Sequence, residues 1–148
     1  MTSTLNYNDM LLLDAEDLAE GGIRAAYDEL LPTLRRYVPT PDDIEEALDA
    51  TAMDYRVRHR NREYVVYSED LPNEEGQSWG RATSALFTIV NSQLEGTGYQ
   101  FYAINGGNDL GGMFLTPAEC EAARRSLPRR LDWPYLPDSS HPWYGQPH

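Results

Sequence analysis

The chain has no lysine, a single cysteine and no apolar stretch long enough to cross a membrane. With one cysteine, no disulfide bond can form within the chain, and a domain of this size without disulfides is typical of the cytoplasm. The N-terminal region contains one apolar run, Met10 to Leu13, which is far shorter than the core of a secretory signal or a membrane span. These absences predict a cytoplasmic protein with no membrane association.

Motifs for metal or phosphate binding are also missing. The three histidines, His59, His141 and His148, have neither the i, i+4 spacing nor the nearby acidic partner that zinc sites on helices use. The glycine-rich segment 105–112 lies between two predicted strands, whereas phosphate-binding loops connect a strand to a helix. We interpret this segment as a hairpin connection, with partner binding by the turn as an alternative, and we expect no cofactor.

Cys120 is the side chain that most suggests a nucleophile. It falls in the first turn of a predicted helix, where the helix dipole lowers a thiol pKa, but Glu119 and Glu121 flank it and act in the opposite direction. Free cysteine is also among the residue types found most often in protein cores. We therefore favour a buried structural role, and an enzyme that uses Cys120 with His59 stays as a less favoured alternative.

Acidic residues dominate what is present. The chain has 24 aspartates and glutamates against 12 arginines, a formal net charge of -12, and 18 of the acids lie in the first 75 residues. A field of this sign repels nucleic-acid phosphates and accelerates encounter with a basic protein. We therefore expect a basic protein partner and no nucleic acid, although acidity that only serves solubility would give the same composition.

The composition is that of a folded domain. The 148 residues are 41% hydrophobic and 11% aromatic, which is too rich in core-forming side chains for a disordered acidic chain. This length fits one domain. We predict a single domain over 1–148, with a core from about residue 10 to residue 136 and a tail rich in proline and aromatic residues over 137–148.

Several segments of the chain carry helix signals, from apolar periodicity or from capping. Residues 23–38 carry an apolar stripe, which Pro32 should kink or split, and a short helical turn is expected before them at 14–20. Residues 79–94 are apolar over a wide arc, which predicts a central helix. Residues 116–119 (Thr-Pro-Ala-Glu) form a capping box with proline at the first helical position, and they predict a helix that runs to about Ser126 and is closed by Pro128.

A further helix is predicted from the capping signals at residues 40–43 (Thr-Pro-Asp-Asp). Threonine is a favoured cap, proline is tolerated in the first turn, and the two carboxylates would lie at the positive end of the helix dipole. The helix would turn an apolar face to the core and its acids to solvent. The residues expected to face the core are Ile44, Ala47, Leu48 and Thr51.

Two hairpins are predicted. Apolar residues alternate with arginines over 55–60, with His59 toward the core, and a tight turn and an apolar strand follow, so we expect the first hairpin at 54–68. Residues 99–104 and 112–115 flank the glycine-rich connection and form the second. Together with the helices, these segments predict an α+β domain of about four antiparallel strands in two hairpins, with helices packed on one face.

Acidic residues near the middle of the chain form the candidate binding surface. Helix capping would explain part of their charge, whereas the acids beyond the cap and those of the loop at 69–75 have no such explanation. Trp79 would supply an aromatic anchor of the kind that interfaces use. The predicted partner-binding residues are Asp42, Asp43, Glu45, Glu46, Asp49, Glu69, Asp70, Glu74, Glu75 and Trp79.

With its strong acidity, single α+β domain and lack of catalytic motifs, the chain resembles bacterial immunity proteins, the inhibitors in toxin–immunity pairs. The resemblance covers the layout of residues 10–136 and no individual motif. It implies tight binding to a cognate, basic toxin whose active or substrate-binding surface the protein covers, and no enzymatic activity. The alternative is an adaptor, chaperone or assembly subunit of a secreted effector or phage-derived system, with the tail at 137–148 docking a partner.

Overall fold

The computed structural model describes residues 5–71, 77–140 and 142–147. The strands of this part of the chain are β1 (Leu11–Leu12), β2 (Glu45–Asp49), β3 (Asp54–His59), β4 (Arg62–Tyr67), β5 (Gln100–Ile104) and β6 (Gly111–Leu115). Its α-helices are α1 (Ala15–Glu20), α2 (Ile23–Leu34), α3 (Gln77–Gln93) and α4 (Pro117–Ser126). The strands form two antiparallel sheets: sheet 1 has the order β1-β6-β5, and sheet 2 has the order β2-β3-β4.

The predicted α+β class is confirmed, and both predicted hairpins are present, as β3 with β4 and β5 with β6. The prediction of about four strands in two hairpins is incomplete, because each hairpin gains a third strand. β1 pairs with β6, and β2 pairs with β3. These added strands leave no alternating pattern in the sequence, since β1 has two residues and every residue of β2 is exposed.

Sheet 1 is covered by helices on both faces, so the prediction of helices on one face is wrong for this sheet. Phe101 and Ala103 of β5 pack into the same core as α3. Their neighbours Tyr102 and Ile104 pack with Cys120 of α4 in a second cluster. Because successive side chains of a strand point to opposite faces, a strand that is apolar at every position needs cover on both sides.

The central position predicted for α3 is confirmed. This helix contacts α1 and α2 as well as β4 of sheet 2 and β5 of sheet 1. Because it touches both sheets, it holds them in one structure. Its buried apolar side chains are Ala82, Ala85, Leu86, Phe87, Ile89 and Val90.

The first two helices lie close to their predicted positions. α1 confirms the helical turn expected at 14–20, and α2 begins at Ile23 as expected. α2 continues through Pro32 as one helix but ends at Leu34, before the predicted end at residue 38. Proline removes a backbone donor from the last turn, and the helix ends two residues after it.

Residues 45–49 form an edge strand where a helix was predicted. The whole segment pairs with β3 in an antiparallel register. Of the four residues expected to face the core, Ile44 is buried, whereas Ala47, Leu48 and Thr51 are exposed. The acidic helix face inferred from the sequence therefore does not exist, and the acids instead lie along and before a strand.

The capping signals at 40–43 fail because distant residues take up the polar groups of this segment. The Asp42 N–H donates to Gln93 Oε1 at 2.8 Å, and the Asp42 carbonyl oxygen accepts from the Tyr27 hydroxyl. Arg24 donates to the Ile44 carbonyl oxygen at 2.7 Å. Helix propensity is a weak preference, and these contacts together with the pairing to β3 outweigh it.

The hairpin of β3 and β4 turns at Arg60 and Asn61. Both residues have positive φ angles, 49° and 65°, as in the two-residue type I′ turn whose twist matches the flanking strands. His59 ends β3 on its core face and is 3% exposed. The tight turn and the inward direction of His59 are both as predicted.

The C-terminal part of the chain packs on the body of the protein. The capping box predicted at 116–119 is present and opens α4. Beyond α4, Tyr135 forms an antiparallel bridge with Ala103 of β5. The Tyr144 ring lies over Gly80 of α3, so closely that a Cβ at Gly80 would be 2.2 Å from it. The described tail residues are therefore docked on the fold.

Candidate functional site

Asp42 lies beside the β3–β4 turn, and its carboxylate is bound there. The Oδ2 atom accepts from Arg60 Nε at 2.7 Å and lies 2.8 Å from His59 Nε2. Burial acts to raise the pKa of this carboxyl, but the hydrogen bonds from His59 and Arg60 outweigh it, so the pKa lies below its usual range. The Asp42 carboxylate, which was predicted from the sequence to bind a partner, is therefore bound by side chains of the protein itself.

Asp43 and Asp49 also have contacts within the protein. Asp43 forms an ion pair with Arg24 of α2 at 3.1 Å, although its side chain is 80% exposed. Asp49 accepts hydrogen bonds from the N–H groups of Thr51 and Ala52, both at 3.1 Å. The first contact joins the segment before β2 to α2, and the second shapes the turn between β2 and β3.

Glu46 belongs to a chain of hydrogen bonds that ends at a helix N-terminus. The Tyr55 hydroxyl donates to the Glu46 carboxylate and accepts from the Ile23 N–H, at the start of α2, at 2.7 Å. Burial raises the pKa of Tyr55, and the bond to Glu46 raises it further. Because a carboxylate is favoured near the positive end of a helix dipole, Glu46 helps to hold β2 against α2.

The Glu45 side chain has no hydrogen bond or ion pair with any residue that the structure describes. The register places it directly opposite Arg58 of β3. Arg58 instead contacts Glu63 of β4 at 3.3 Å, and Arg56 contacts the same carboxylate at 2.8 Å. Hydrogen bonds from Arg56 and Arg58 hold the pKa of Glu63 below its usual range. Arg56 is also paired with Asp54 of β3 at 2.7 Å, so both arginines of β3 have acidic partners other than Glu45, and the Glu45 carboxylate stays exposed.

The second part of the predicted surface follows β4. Glu69 and Asp70 are exposed, and they form no hydrogen bond or ion pair within the described ranges. Glu74 and Glu75 lie outside the described residues. Trp79 is half-buried near the start of α3, where it packs against the main core. Part of the Trp79 side chain therefore belongs to the fold, and part remains at the surface.

Sequence reasoning missed a second group of acids, on α1. Asp14 caps this helix by accepting from the Glu16 N–H at 3.0 Å. Burial and repulsion from Glu16 raise the pKa of Glu20. Tyr67 of β4 has a pKa raised first by burial and then by the nearby carboxylates of Asp54 and Glu20. Carboxylates of sheet 2 and of α1 therefore both lie near Tyr67, and the i, i+4 spacing of Glu16 and Glu20 was the available signal for the acids of α1.

The structure does not bring His59 and Cys120 together. His59 contacts Asp42 beside sheet 2, whereas Cys120 packs with Tyr102 in the cluster behind sheet 1. Burial raises the pKa of the Cys120 thiol, and its Sγ lies 3.8 Å from the Pro134 carbonyl oxygen. Within the described ranges, histidine, cysteine, aspartate and glutamate side chains form no group of three that could hold a metal ion.

The glycine-rich connection between β5 and β6 is held against α1. The Asn108 amide donates to the carboxylates of Asp14 at 3.1 Å and Glu16 at 3.2 Å. The Leu110 carbonyl oxygen accepts from the N–H of Leu13 at 2.9 Å. This segment is a hairpin connection, as predicted, and its polar side chain at Asn108 is used within the fold.

A polar cavity of about 430 Å³ lies between the end of α2 and β6. The rings of Tyr37 and Tyr99 are 4.6 Å apart at their centroids, and Phe114 stacks on Tyr37 at 4.9 Å. Asp9 and Arg36 also line the cavity. Burial raises the pKa of Tyr37, with a further contribution from Tyr99. Because the lining carries both charges, this cavity does not share the acidic character of the surface around β2.

No known family matches this chain. Comparisons with protein families, with curated proteins and with solved structures each found nothing similar. None of the helices in the described part of the chain has the length and apolar character needed to span a bilayer. The function therefore has to be inferred from the chemistry of the surface itself.

Proposed function

We propose that the protein is a protein-binding module that binds a basic partner through its acidic surface, as an immunity protein does when it covers the active or substrate-binding surface of a bacterial toxin. The observation that supports this proposal is that some of the acids are bound within the fold and others are not. Asp42 and Glu46 are bound within the fold, whereas Glu45, Glu69 and Asp70 are exposed and, over the described residues, unpaired. Such carboxylates attract a basic protein and contribute to the choice of partner.

The surface near β2 combines this charge with apolar side chains. Leu48 and Met53 lie on either side of the turn between β2 and β3 and are 64% and 61% exposed. Apolar contact and charge have different effects at interfaces, since the first contributes affinity and the second contributes association rate and specificity. A basic partner that lay over the edge of sheet 2 would use both.

Co-expression with a candidate toxin tests the proposal, and the product of the neighbouring gene is the first candidate. The wild-type chain should relieve growth arrest by that protein and bind it. Glu45→Lys combined with Glu69→Lys should weaken binding at least about tenfold at low salt and reduce protection, because two attractive contacts become repulsive.

The matched control is Glu95→Lys combined with Glu121→Lys. Both residues are exposed and lie outside the proposed surface, so the net charge changes equally while affinity should stay within about twofold. An equal loss in both double variants would mean that net charge alone determines binding. Unchanged binding by the first variant would contradict the proposed surface.

The two alternatives meet different obstacles in the described residues. An adaptor that docked its partner through the Tyr144 ring would have to displace that ring from Gly80. An enzyme that uses Cys120 would need its thiolate, and burial acts against that form by raising the thiol pKa. Neither obstacle applies to binding at the exposed acids, which is why we favour the protein-binding proposal.

A further inference from the structure

Strand β2 lies at the edge of sheet 2. It pairs with β3 on one side, and within the described ranges no strand pairs with its other side. All five of its residues, Glu45–Asp49, are exposed. In an antiparallel ladder every second residue directs both its N–H and its C=O away from the partner strand, so β2 offers backbone donors and acceptors to an additional strand.

The register of β2 shows what an additional strand would cover. Leu48 lies opposite the buried Tyr55, so it is on the core face of sheet 2, and yet it is 64% exposed. Glu45 lies opposite Arg58 on the outer face. An added strand would therefore meet Leu48 and the Glu46 side chain, which is bonded to Tyr55, on one face, and the carboxylates of Glu45 and Asp49 on the other.

The charge of this edge selects the kind of strand that can pair with it. β2 has three acids among its five residues, and Glu45 is left without a described partner because Arg58 turns to Glu63. Edge-to-edge pairing with a second copy of this chain would place like charges opposite each other, which is destabilising. A strand with arginine or lysine at alternate positions would instead place cations beside Glu45 and Asp49.

We propose that the partner binds by adding a basic β-strand to the edge of β2, with cationic side chains on the outer face and apolar side chains beside Leu48. This inference rests on the proposed function, since it specifies how the basic partner is recognised. In this mode of recognition the backbone hydrogen bonds supply affinity and alternate side chains supply specificity. The acids of β2 then both prevent self-pairing and select the partner.

Two peptides of equal charge test the inference with the full-length chain. The blocked peptide RVRVR can form a strand with arginines on one face and valines on the other, whereas the prolines of RPRPR lack the N–H groups that pairing needs. Each is titrated into ¹⁵N-labelled protein at about 0.05 M NaCl, where screening is weak. RVRVR should slow amide exchange at alternate residues of 45–49 at least about threefold and bind at least about fivefold more tightly than RPRPR.

Charge reversal at the edge provides the matched variants. Glu45→Lys should weaken the binding of RVRVR about threefold or more, because an exposed attractive contact becomes a repulsive one. Glu95→Lys changes the net charge equally at an exposed position after α3. In this second variant, RVRVR should still slow amide exchange at residues 45–49.

The outcomes separate strand addition from binding by charge alone. Equal affinity for RVRVR and RPRPR, or no slowed exchange at residues 45–49, would overturn strand addition and leave the acidic surface of the proposed function in place. Slowed exchange at 45–49 together with no binding to any basic toxin would instead overturn the proposed function. Equal weakening of RVRVR binding by Glu45→Lys and Glu95→Lys would also contradict binding at the edge of β2.

Discussion

Asp42 is a single residue that contacts three parts of the fold: sheet 2, α2 and α3. Its carboxylate contacts His59 and Arg60 of sheet 2, its carbonyl oxygen accepts from Tyr27 of α2, and its N–H donates to Gln93 of α3. Hydrogen bonds to a charged group contribute more to stability than neutral ones, about 1.5–3 kcal/mol. An acid that the sequence places in a binding surface can therefore be a structural residue. Its contacts within the fold show which of the two roles it has.

Asp42→Asn should lower the free energy of unfolding by about 1–2 kcal/mol at neutral pH, because the neutral amide lacks the negative charge that strengthens the hydrogen bonds with His59 and Arg60. The folded-state pKa of Asp42 lies below its usual value. Its stabilisation is therefore complete above the unfolded pKa of about 4 and is lost as the pH falls through the folded value. In urea unfolding, the free energies of unfolding of the wild type and Asp42→Asn should differ clearly at about pH 7 and only slightly at about pH 3.

Asp43→Asn is the control at the neighbouring position. Asp43 is paired with Arg24 at the surface, and its side chain is 80% exposed. Exposed ion pairs contribute little, so this change should alter the free energy of unfolding by no more than about 0.5 kcal/mol. Equal losses in the two variants would mean that local charge, and not the contacts of Asp42, determines stability here.

At the scale of elements, the same kind of local signal predicted α4 correctly and β2 incorrectly. The capping box of α4 forms because Thr116 and Glu119 bind each other's N–H groups within a single turn. The similar signal at 40–43 is overridden, since Asp42 finds Gln93 at a separation of 51 positions along the chain. Local sequence carries no information about such a distant partner, so a segment of helix formers became a strand.

The contact between the tail and α3 rests on the absence of a side chain at Gly80. A Cβ there would lie 2.2 Å from the Tyr144 ring, so Gly80→Ala should displace the ring and expose the tail to chymotrypsin. In a helix without this contact, alanine is more stable than glycine by about 0.5–1 kcal/mol. We therefore expect Gly80→Ala to be more favourable in a Tyr144→Ala background than in the wild type.

A double-mutant cycle on the full-length chain measures this difference. The coupling free energy between Gly80→Ala and Tyr144→Ala should be at least about 1 kcal/mol, because the two positions are in direct contact. The rate of proteolysis in the tail gives a second readout. Additivity within about 0.5 kcal/mol, with no change in proteolysis, would show that the ring does not pack on Gly80 in solution.

At the scale of the whole molecule, α3 lies between two sheets whose hairpins were predictable and whose third strands were not. A hairpin or helix with one buried face leaves a periodic trace in the sequence, and β2 leaves none because all of its residues are exposed. The candidate site could likewise be predicted only in part, because the contacts between side chains of different strands leave no pattern in the sequence. The sequence locates Glu45 among the acids, but it cannot show that Arg58 turns to Glu63 and leaves Glu45 exposed.

The net charge should make the stability of the whole molecule depend on salt. At a formal charge of -12, repulsion among carboxylates opposes the compact state, and salt screens that repulsion. Surface ion pairs are screened as well, but they contribute less. Raising NaCl from about 0.02 M to about 0.5 M should therefore raise the Tm by about 2–6 °C in calorimetry. The less acidic Glu95→Lys, Glu121→Lys variant should gain less, whereas a Tm that fell with salt would mean that ion pairs outweigh repulsion.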